Sequence, residues 1–263
     1  MEIRDKRIDD GKAFDWGKTS KEYAKFRDIY PEEFYKKIVD RGLCIKGQKV
    51  LDLGTGTGVV PRNMYKYGAQ WTGTDISPEQ IEQAKRLALE AGMKIDFLAR
   101  RAEDIDFADG TFDVITACQC IWYFAHEKTA PLFARLLKTG GKFLILYMGW
   151  LPFEDKTAGK SEEIILKYNP DWTGKGDTVH PVWVPEEYLK HFDLLSQKEF
   201  RVDVPFTRES WHGRIRACRG VEASMPKDVL ELWNKEHKAM LEENAAESFT
   251  IKHYISIAEL RKK

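Results

Sequence analysis

The chain has 263 residues, and its 42 lysine and arginine residues balance 42 aspartate and glutamate residues, giving a formal net charge of zero. This balance argues against nucleic-acid binding through bulk positive charge, because neutralising phosphates requires a basic surface. The length suits a single α/β domain, either as one core or as a core with a cap, that buries most of its apolar surface.

The four cysteines, Cys44, Cys118, Cys120 and Cys218, are spread along the chain without the paired spacing of a metal site. We therefore expect no metal. The sequence shows neither a signal-peptide pattern at its start nor an apolar run of membrane length. These features predict a cytoplasmic protein with no membrane partner.

In chain order, the first half of the sequence alternates between strand and helix signals. A charged start is followed by two short helical stretches, and Ser77 is predicted to cap a later helix with Pro78 at its first position. The predicted strands cover 50–53, 70–74, 94–99, 111–117 and 142–148, and the predicted helices cover 23–29, 31–39, 57–68, 78–91 and 127–138. Strands that alternate with helices indicate right-handed crossovers and a parallel sheet.

Beyond residue 150 the pattern changes. Residues 151–184 are rich in Gly, Pro, Trp and charge and are predicted to form a loop with at most one short helix. A short helix over 186–192 and a strand over 198–204 follow, and a mostly helical segment, 207–246, precedes a long strand over 248–257. We expect these two late strands at the edge of the sheet.

The most informative motif is a glycine loop that directly follows the first predicted strand. Residues 49–58 read Lys-Val-Leu-Asp-Leu-Gly-Thr-Gly-Thr-Gly, so glycines stand at 54, 56 and 58, where a ligand can approach the backbone. The second strand ends in a carboxylate, Asp75. A glycine loop after one strand and an acid at the tip of the next is how a doubly wound sheet holds an adenosine.

The spacing of the glycines distinguishes between two kinds of adenosine ligand. A dinucleotide fingerprint, G-x-G-x-x-G, would place its third glycine at 59, but Val59 occupies that position. Asp52 precedes the loop, and a carboxylate aimed into the crevice would oppose a pyrophosphate but suit a cationic amino-acid tail. These residues favour a positively charged adenosine ligand and disfavour a nicotinamide oxidoreductase.

Asp-Leu-Gly-Thr-Gly-Thr-Gly with Asp75 beyond it resembles the class I S-adenosylmethionine-dependent methyltransferases, and the resemblance covers about residues 23–148. It implies a doubly wound, Rossmann-like sheet of seven strands, mostly parallel with an antiparallel edge strand. The expected organisation is one domain with a helical segment (1–40), a cofactor-binding core (41–150) and cap inserts (151–184 and 207–246) over the active site. The implied cofactor is S-adenosylmethionine, with S-adenosylhomocysteine as product, and the implied acceptor is a small molecule.

The resemblance also assigns residues to the cofactor. Ile76 would pack on the adenine, Ala102 and Glu103 would lie beside it, and Cys118 would line the methionine part. Tyr23 and Arg27 lie four residues apart on one helix face, so Arg27 could pair with the carboxylate tail. The full predicted set is Tyr23, Arg27, Asp52, Gly54, Thr55, Gly56, Gly58, Asp75, Ile76, Gln80, Ala102, Glu103 and Cys118.

No obligatory catalytic residue is visible, because methyl transfer from a sulfonium can proceed largely by positioning. Candidates for a base or an acceptor contact are Tyr123, His126, His180, Trp211 and His212. Arginines at 208, 214, 216 and 219 suggest an anionic acceptor, although a salt-bridged helix face explains them almost as well. The alternatives are a protein or nucleic-acid methyltransferase and a non-catalytic S-adenosylmethionine-binding protein. The oligomeric state stays open.

Overall fold

The computed structural model describes residues 2–263, so residue 1 of the predicted segment 1–40 lies outside the described part. The strands are β1 (Lys49–Leu53), β2 (Gln70–Asp75), β3 (Asp96–Ala99), β4 (Phe112–Cys118), β5 (Leu137–Trp150), β6 (Phe192–Thr207) and β7 (Ser248–Lys262). The helices are α1 (Ser20–Phe26), α2 (Glu32–Val39), α3 (Val59–Met64), α4 (Pro78–Glu90), α5 (His126–Leu136), α6 (Lys156–Tyr168), α7 (Glu186–Leu189), α8 (Arg208–Arg216) and α9 (Lys227–Asn244).

The strands form one sheet in the order β3-β2-β1-β4-β5-β7-β6, and the first five pair in parallel. The strand β7 runs antiparallel to β5, because Leu151 after β5 bonds to Lys252 early in β7 while Lys262 at the end of β7 bonds to Leu137 at the start of β5. The strand β7 is also antiparallel to β6, because Lys263 after β7 bonds to His191 before β6. At the other end, Arg208 after β6 bonds to Glu247 before β7. The predicted fold class is confirmed, and β6 and β7 form the sheet edge.

The chain divides into two compact units. The core unit comprises Tyr30–Met148, His180–Phe200 and Ile255–Lys263. The helical unit comprises the described residues up to Ile29 together with Gly149–Val179 and Arg201–Tyr254.

The core unit is built around the apolar residues of its parallel strands. Leu51, Ile115, Phe143 and Ile145 are fully buried, and they belong to an apolar cluster that also takes in the inner face of α5. Parallel strands covered on both faces are largely apolar, and in β4 the residues Phe112, Val114, Ile115 and Ala117 are buried. The ends of these strands are therefore held in fixed positions.

The helical unit contains a helix that the sequence analysis did not predict. Residues 156–168 form α6, a helix of 13 residues, where a loop with at most one short helix was expected. Asp155 caps this helix by accepting bonds from the N–H groups of Thr157 and Ala158, and Ala158 and Ile165 are fully buried. The helix α6 packs against α9, and α8 contacts both α1 and α9.

Other boundaries also differ from the predicted ones. The strands β5, β6 and β7 are all longer than expected, and β6 begins within the stretch that was predicted to be helical. The helix α7 ends at Leu189. Among residues 2–263, no helix has the length and apolar character needed to cross a membrane.

Candidate functional site

The glycine loop between β1 and α3 has no room for side chains at two of its three glycines. Gly54, Gly56 and Gly58 have φ angles of 57°, 56° and 74°, in the left-handed region that favours glycine. A Cβ atom on Gly54 would lie 2.7 Å from Cβ of Cys120, and one on Gly58 would lie 2.7 Å from the ring of Phe97. Gly54 and Gly58 are therefore closely packed against Cys120 and Phe97 and leave no space for a side chain.

Asp75, at the end of β2, is bound to this loop. Its Oδ2 accepts a hydrogen bond from the N–H of Gly56 at 2.9 Å, and its Oδ1 accepts one from the N–H of Ser77, also at 2.9 Å. Burial raises the pKa of the Asp75 carboxyl, and backbone N–H donors oppose that rise. Each oxygen of an ionised carboxylate has two lone pairs, so each keeps acceptor capacity for a ligand hydroxyl.

Asp52 lies differently from the sequence interpretation, which aimed its carboxylate into the crevice. The side chain is buried, and its two oxygens accept hydrogen bonds at 2.6 Å from the hydroxyls of Thr55 and Thr116. Burial raises the pKa of Asp52 to about 6, while these two bonds lower it and the charge of Asp75 raises it further. Asp52 therefore connects the loop to β4 from inside the protein.

Hydrogen bonds stabilise the start of α4 and the loop after β3, the two segments beside the glycine loop. The N–H of Gln80 donates to Oγ of Ser77 at 3.3 Å, which confirms the predicted cap of α4, and Ile76 next to Asp75 is half-buried. Ala102 is buried, and Oε1 of Glu103 accepts a bond from the N–H of Ala125 at 2.9 Å. Glu103 thus connects the loop after β3 with the start of α5.

The turn that follows β4 contains Gln119, a residue that the sequence analysis did not single out. Gln119 has a φ of 62°, which is uncommon for a residue other than glycine. Its N–H donates to the carbonyl of Leu146 at 2.9 Å, and its side-chain amide donates to the carbonyl of Met148. On one side of it, the thiol of Cys118 lies 3.4 Å from the hydroxyl of Tyr30. The sequence alone does not indicate that Gln119 adopts a positive φ.

Four aromatic side chains follow one another near the ends of β4 and β5, and we call them the aromatic row: Trp122, Tyr123, Tyr147 and His180. The ring of Trp122 lies 5.8 Å from that of Tyr123 and 5.7 Å from that of Tyr147, measured between centroids. The ring of Tyr147 lies 6.0 Å from that of His180. Trp122, Tyr123 and Tyr147 are half-buried and His180 is exposed. Two of the four, Tyr123 and His180, were predicted candidates.

Tyr23 and Arg27, which were predicted to share a helix face, contact each other at the end of α1. The guanidinium of Arg27 lies 4.7 Å from the ring centroid of Tyr23, and its Nη2 donates to the Tyr23 hydroxyl at 3.4 Å. Both residues belong to the helical unit. Their contact with a cofactor stays a prediction.

Two other candidates, His126 and Trp211, lie among buried aromatic residues. His126 is 8% exposed, and its ring packs against those of Trp183 and Tyr188 in the core unit. Trp211 is fully buried in the helical unit, where its Nε1 donates to Oγ of Ser161 at 3.0 Å. Among the predicted candidates, Tyr123 and His180 therefore have the most accessible side chains.

His212 is part of a buried polar network. Its Nδ1 lies 2.9 Å from Nδ1 of His237, its Nε2 lies 3.1 Å from Oδ1 of Asn234, and Nε2 of His237 lies 3.0 Å from Oγ of Ser161. Burial lowers the pKa of His212 to about 4 and lowers that of His237 well below its usual range. This environment is typical of a neutral, structural histidine pair.

The arginines in and around α8 have partners in the helical unit. Arg216 pairs with Glu222 at 2.8 Å, and Arg219 pairs with Asp9 at 2.7 Å. Arg208 donates to the carbonyl of Ala245, and the guanidinium of the buried Arg214 lies 5.0 Å from the ring centroid of Trp150. These contacts favour the salt-bridged alternative over a cluster arranged to receive an anionic acceptor.

Comparison with known proteins identifies relatives of the region that contains the loop. Residues 50–141 match the protein family described as "Methyltransferase domain". The ubiquinone biosynthesis O-methyltransferase of Xanthomonas euvesicatoria pv. vesicatoria (strain 85-10) is 31% identical over 140 residues, 52% of this chain and 58% of that protein. The protein of the same name from Dechloromonas aromatica (strain RCB) is 28% identical over 163 residues, 61% of this chain and 69% of that protein. The chain thus spans little more than half the length of the first of these relatives.

A solved structure shows the same fold over most of the chain. The YcgJ protein of Bacillus subtilis aligns with a TM-score of 0.52 and covers 89% of this chain and 100% of its own. The two sequences are 20% identical. At this identity, the similarity shows the shared fold alone.

Proposed function

We propose that this chain, which belongs to the class I S-adenosylmethionine-dependent methyltransferases, transfers a methyl group from S-adenosylmethionine to a small-molecule acceptor. The observation that carries the proposal is the bond between Gly56 and Asp75. It joins a loop with three glycines to a carboxylate that keeps acceptor capacity. Both residues lie within the segment that matches the methyltransferase domain.

The residues around the loop fit an adenosine ligand. Glycine at 54, 56 and 58 leaves the backbone at these positions without side chains, and a Cβ on Gly54 or Gly58 would collide with Cys120 or Phe97. In this proposal Asp75 accepts the ribose hydroxyls, Ile76 packs on the adenine, and Ala102 lies beside the base. The same proposal includes the remaining predicted cofactor contacts, which are Thr55, Gln80, Glu103, Cys118, Tyr23 and Arg27.

When bound, the cofactor supplies an electrophilic methyl group on a sulfonium, so the protein's main task is to align the acceptor in line with it. Both curated relatives are named O-methyltransferases, which supports oxygen as the acceptor atom. The cap assigned to 151–184 and 207–246 and a cytoplasmic location stay predictions from the sequence.

The test is methyl transfer by the purified protein. The protein is incubated with S-adenosylmethionine labelled in its methyl group and with a small-molecule extract, a protein fraction and a nucleic-acid fraction in separate reactions. We expect label in the small-molecule reaction only. Label in either macromolecular fraction would support the first alternative. Cofactor binding without transfer in any reaction would indicate a non-catalytic binding protein.

A further inference from the structure

We infer that Cys120 is a positioning residue of the cofactor site, which holds the start of the glycine loop in the conformation that receives S-adenosylmethionine. This inference rests on the proposed function and adds a residue to that same site. Cys120 lies 67 positions from Leu53 in sequence and was not among the predicted cofactor contacts.

Cys120 touches the start of the glycine loop through two separate contacts. Its thiol donates a hydrogen bond to the carbonyl oxygen of Leu53, the last residue of β1, and the distance from Sγ to that oxygen is 3.1 Å. Its Cβ atom packs on Gly54, since a Cβ built on Gly54 would lie only 2.7 Å from it. One side chain therefore fixes both the carbonyl that leads into the loop and the first glycine, whose φ is 57°.

The environment of Cys120 keeps its thiol protonated, so the thiol can donate. The residue is 7% exposed, and burial raises the pKa of the thiol well above its usual range. The negative charge of Asp52 raises this pKa further. A thiol in such surroundings is unreactive and serves as a small apolar group with a weak donor. The contacts of Cys120 with the loop therefore define its role.

The turn that carries Cys120 is also anchored to β5. The N–H of Gln119 donates to the carbonyl of Leu146 at 2.9 Å, and the side-chain amide of Gln119 donates to the carbonyl of Met148. Gln119 has a φ of 62°, and a left-handed conformation outside glycine persists only where the surrounding structure determines it. Because β4 lies between β1 and β5 in the sheet, the turn connects three neighbouring strands.

The glycine loop is thereby held at two points. Asp75 ends β2 and Cys120 follows β4, and these two strands flank β1. Asp75 holds the N–H of Gly56, whereas Cys120 holds Leu53 and Gly54. A loop that is fixed before a ligand arrives loses less conformational entropy when the ligand binds. Loss of the contact with Cys120 should therefore lower cofactor affinity even where the fold persists.

The experiment measures the affinity for S-adenosylhomocysteine by calorimetry in the parent and in three variants of Cys120. Cys120→Ser keeps a donor, Cys120→Ala removes it, and Cys120→Thr keeps it but adds a methyl group to the Cβ that packs on Gly54. We expect Cys120→Ala to lose about two- to tenfold in affinity and Cys120→Thr to lose about fivefold or more. Cys120→Ser should restore most of the affinity that Cys120→Ala loses.

Cys44→Ala is the matched control, because Cys44 is also fully buried in the core unit but precedes β1, whereas the glycine loop follows it. Its affinity should equal that of the parent, and urea unfolding gives the loss of stability in each variant. Parent-like affinity in both Cys120→Ala and Cys120→Thr would overturn the inference, as would an equal loss in Cys44→Ala. If Cys120→Thr does not fold, the comparison of Cys120→Ala with Cys120→Ser decides.

Failure of the proposed function has a different signature, because the parent itself would then not bind S-adenosylhomocysteine. In that case, hydrogen exchange of the ligand-free protein tests whether Cys120 holds the loop. We expect faster deuterium uptake over residues 54–58 in Cys120→Ala than in the parent and in Cys44→Ala, and slower uptake again in Cys120→Ser. Equal uptake in all four proteins would refute the role of Cys120.

Discussion

The N–H of Gly56 donates to Oδ2 of Asp75 at 2.9 Å, so the loop after β1 and the tip of β2 form one structural piece. The two residues are 19 positions apart in sequence. Because β1 and β2 are adjacent and parallel, with Leu53 paired to Thr74, the two strands end side by side. The bond gives the Asp75 carboxylate a structural role in holding the loop, in addition to the ligand contact proposed for it.

Replacing Asp75 should therefore weaken both the ligand site and the loop. In Asp75→Ala the ribose hydroxyls lose their acceptor, and we expect S-adenosylhomocysteine affinity to fall by about 1.5–3 kcal/mol, roughly ten- to a hundred-fold. The free energy of unfolding should fall by about 1 kcal/mol, because the N–H groups of Gly56 and Ser77 lose their partner. Calorimetry and chemical unfolding measure the two effects. Asp96→Ala, at an exposed carboxylate in β3, is the control, and parent-like affinity in Asp75→Ala would refute the assignment.

Two glycine-to-alanine substitutions distinguish the energetic cost of a left-handed backbone from the cost of a steric clash. Gly58 and Gly92 have φ angles of 74° and 65°, but a new Cβ meets the Phe97 ring at 2.7 Å in the first case and nothing within 4 Å in the second. Gly92→Ala should cost about 1 kcal/mol of stability, and Gly58→Ala should cost more because the ring must also move. Urea unfolding of both variants gives the difference. Equal losses would mean that Phe97 does not press on the loop.

The buried carboxyl of Asp52 should make stability fall with rising pH. Its pKa is about 6 in the folded protein, above the ordinary value, so the folded state binds more protons than the unfolded state between about pH 4 and pH 6. The contribution of Asp52 to stability is therefore present below about pH 4 and lost as pH rises to about 6. Asp52→Asn removes this dependence, so the stability of the variant relative to the parent should rise from pH 4 to pH 7. A difference that does not change with pH would contradict the result.

The buried pair of His212 and His237 should make stability rise with pH, which is the opposite of the effect expected for Asp52. The pKa of His212 is lowered to about 4 and that of His237 is lowered well below the usual range, so the unfolded state binds more protons below about pH 6.5. The free energy of unfolding should fall as pH decreases from about 6.5 to 4. For each histidine, the free energy of unfolding should change by up to about 1.4 kcal/mol per pH unit. His212→Gln should show a smaller slope than the parent in urea unfolding at several pH values, and an unchanged slope would rule out this contribution.

The sequence could predict the parts of the fold that local patterns determine. The glycine spacing, the acid at 75 and the cap formed by Ser77 all depend on neighbours within one or two elements. The full length of α6 was not predicted, because Gly159 and several charged residues make its amphipathic pattern weak. Its buried face, which includes Ala158 and Ile165, depends on tertiary packing.

The side-chain environment of the site could be predicted only in part. The burial of Asp52 depends on Thr116, a residue 64 positions away in a strand that becomes adjacent only after folding. The aromatic row brings Trp122 to Tyr147, which comes from the next strand, and Tyr147 to His180 from a later loop. Trp211 is fully buried and donates to Ser161, a contact that depends on a residue 50 positions away, and its role at the acceptor stays a prediction.

The proposed methyl transfer requires the glycine loop and Asp75 to bind S-adenosylmethionine. Isothermal titration calorimetry of the purified chain with S-adenosylmethionine, S-adenosylhomocysteine and NAD tests it directly. We predict saturable binding of the first two and none of NAD, because Val59 stands where a dinucleotide fingerprint requires its third glycine. Binding of NAD that is tighter than binding of S-adenosylmethionine would rule out the proposed cofactor.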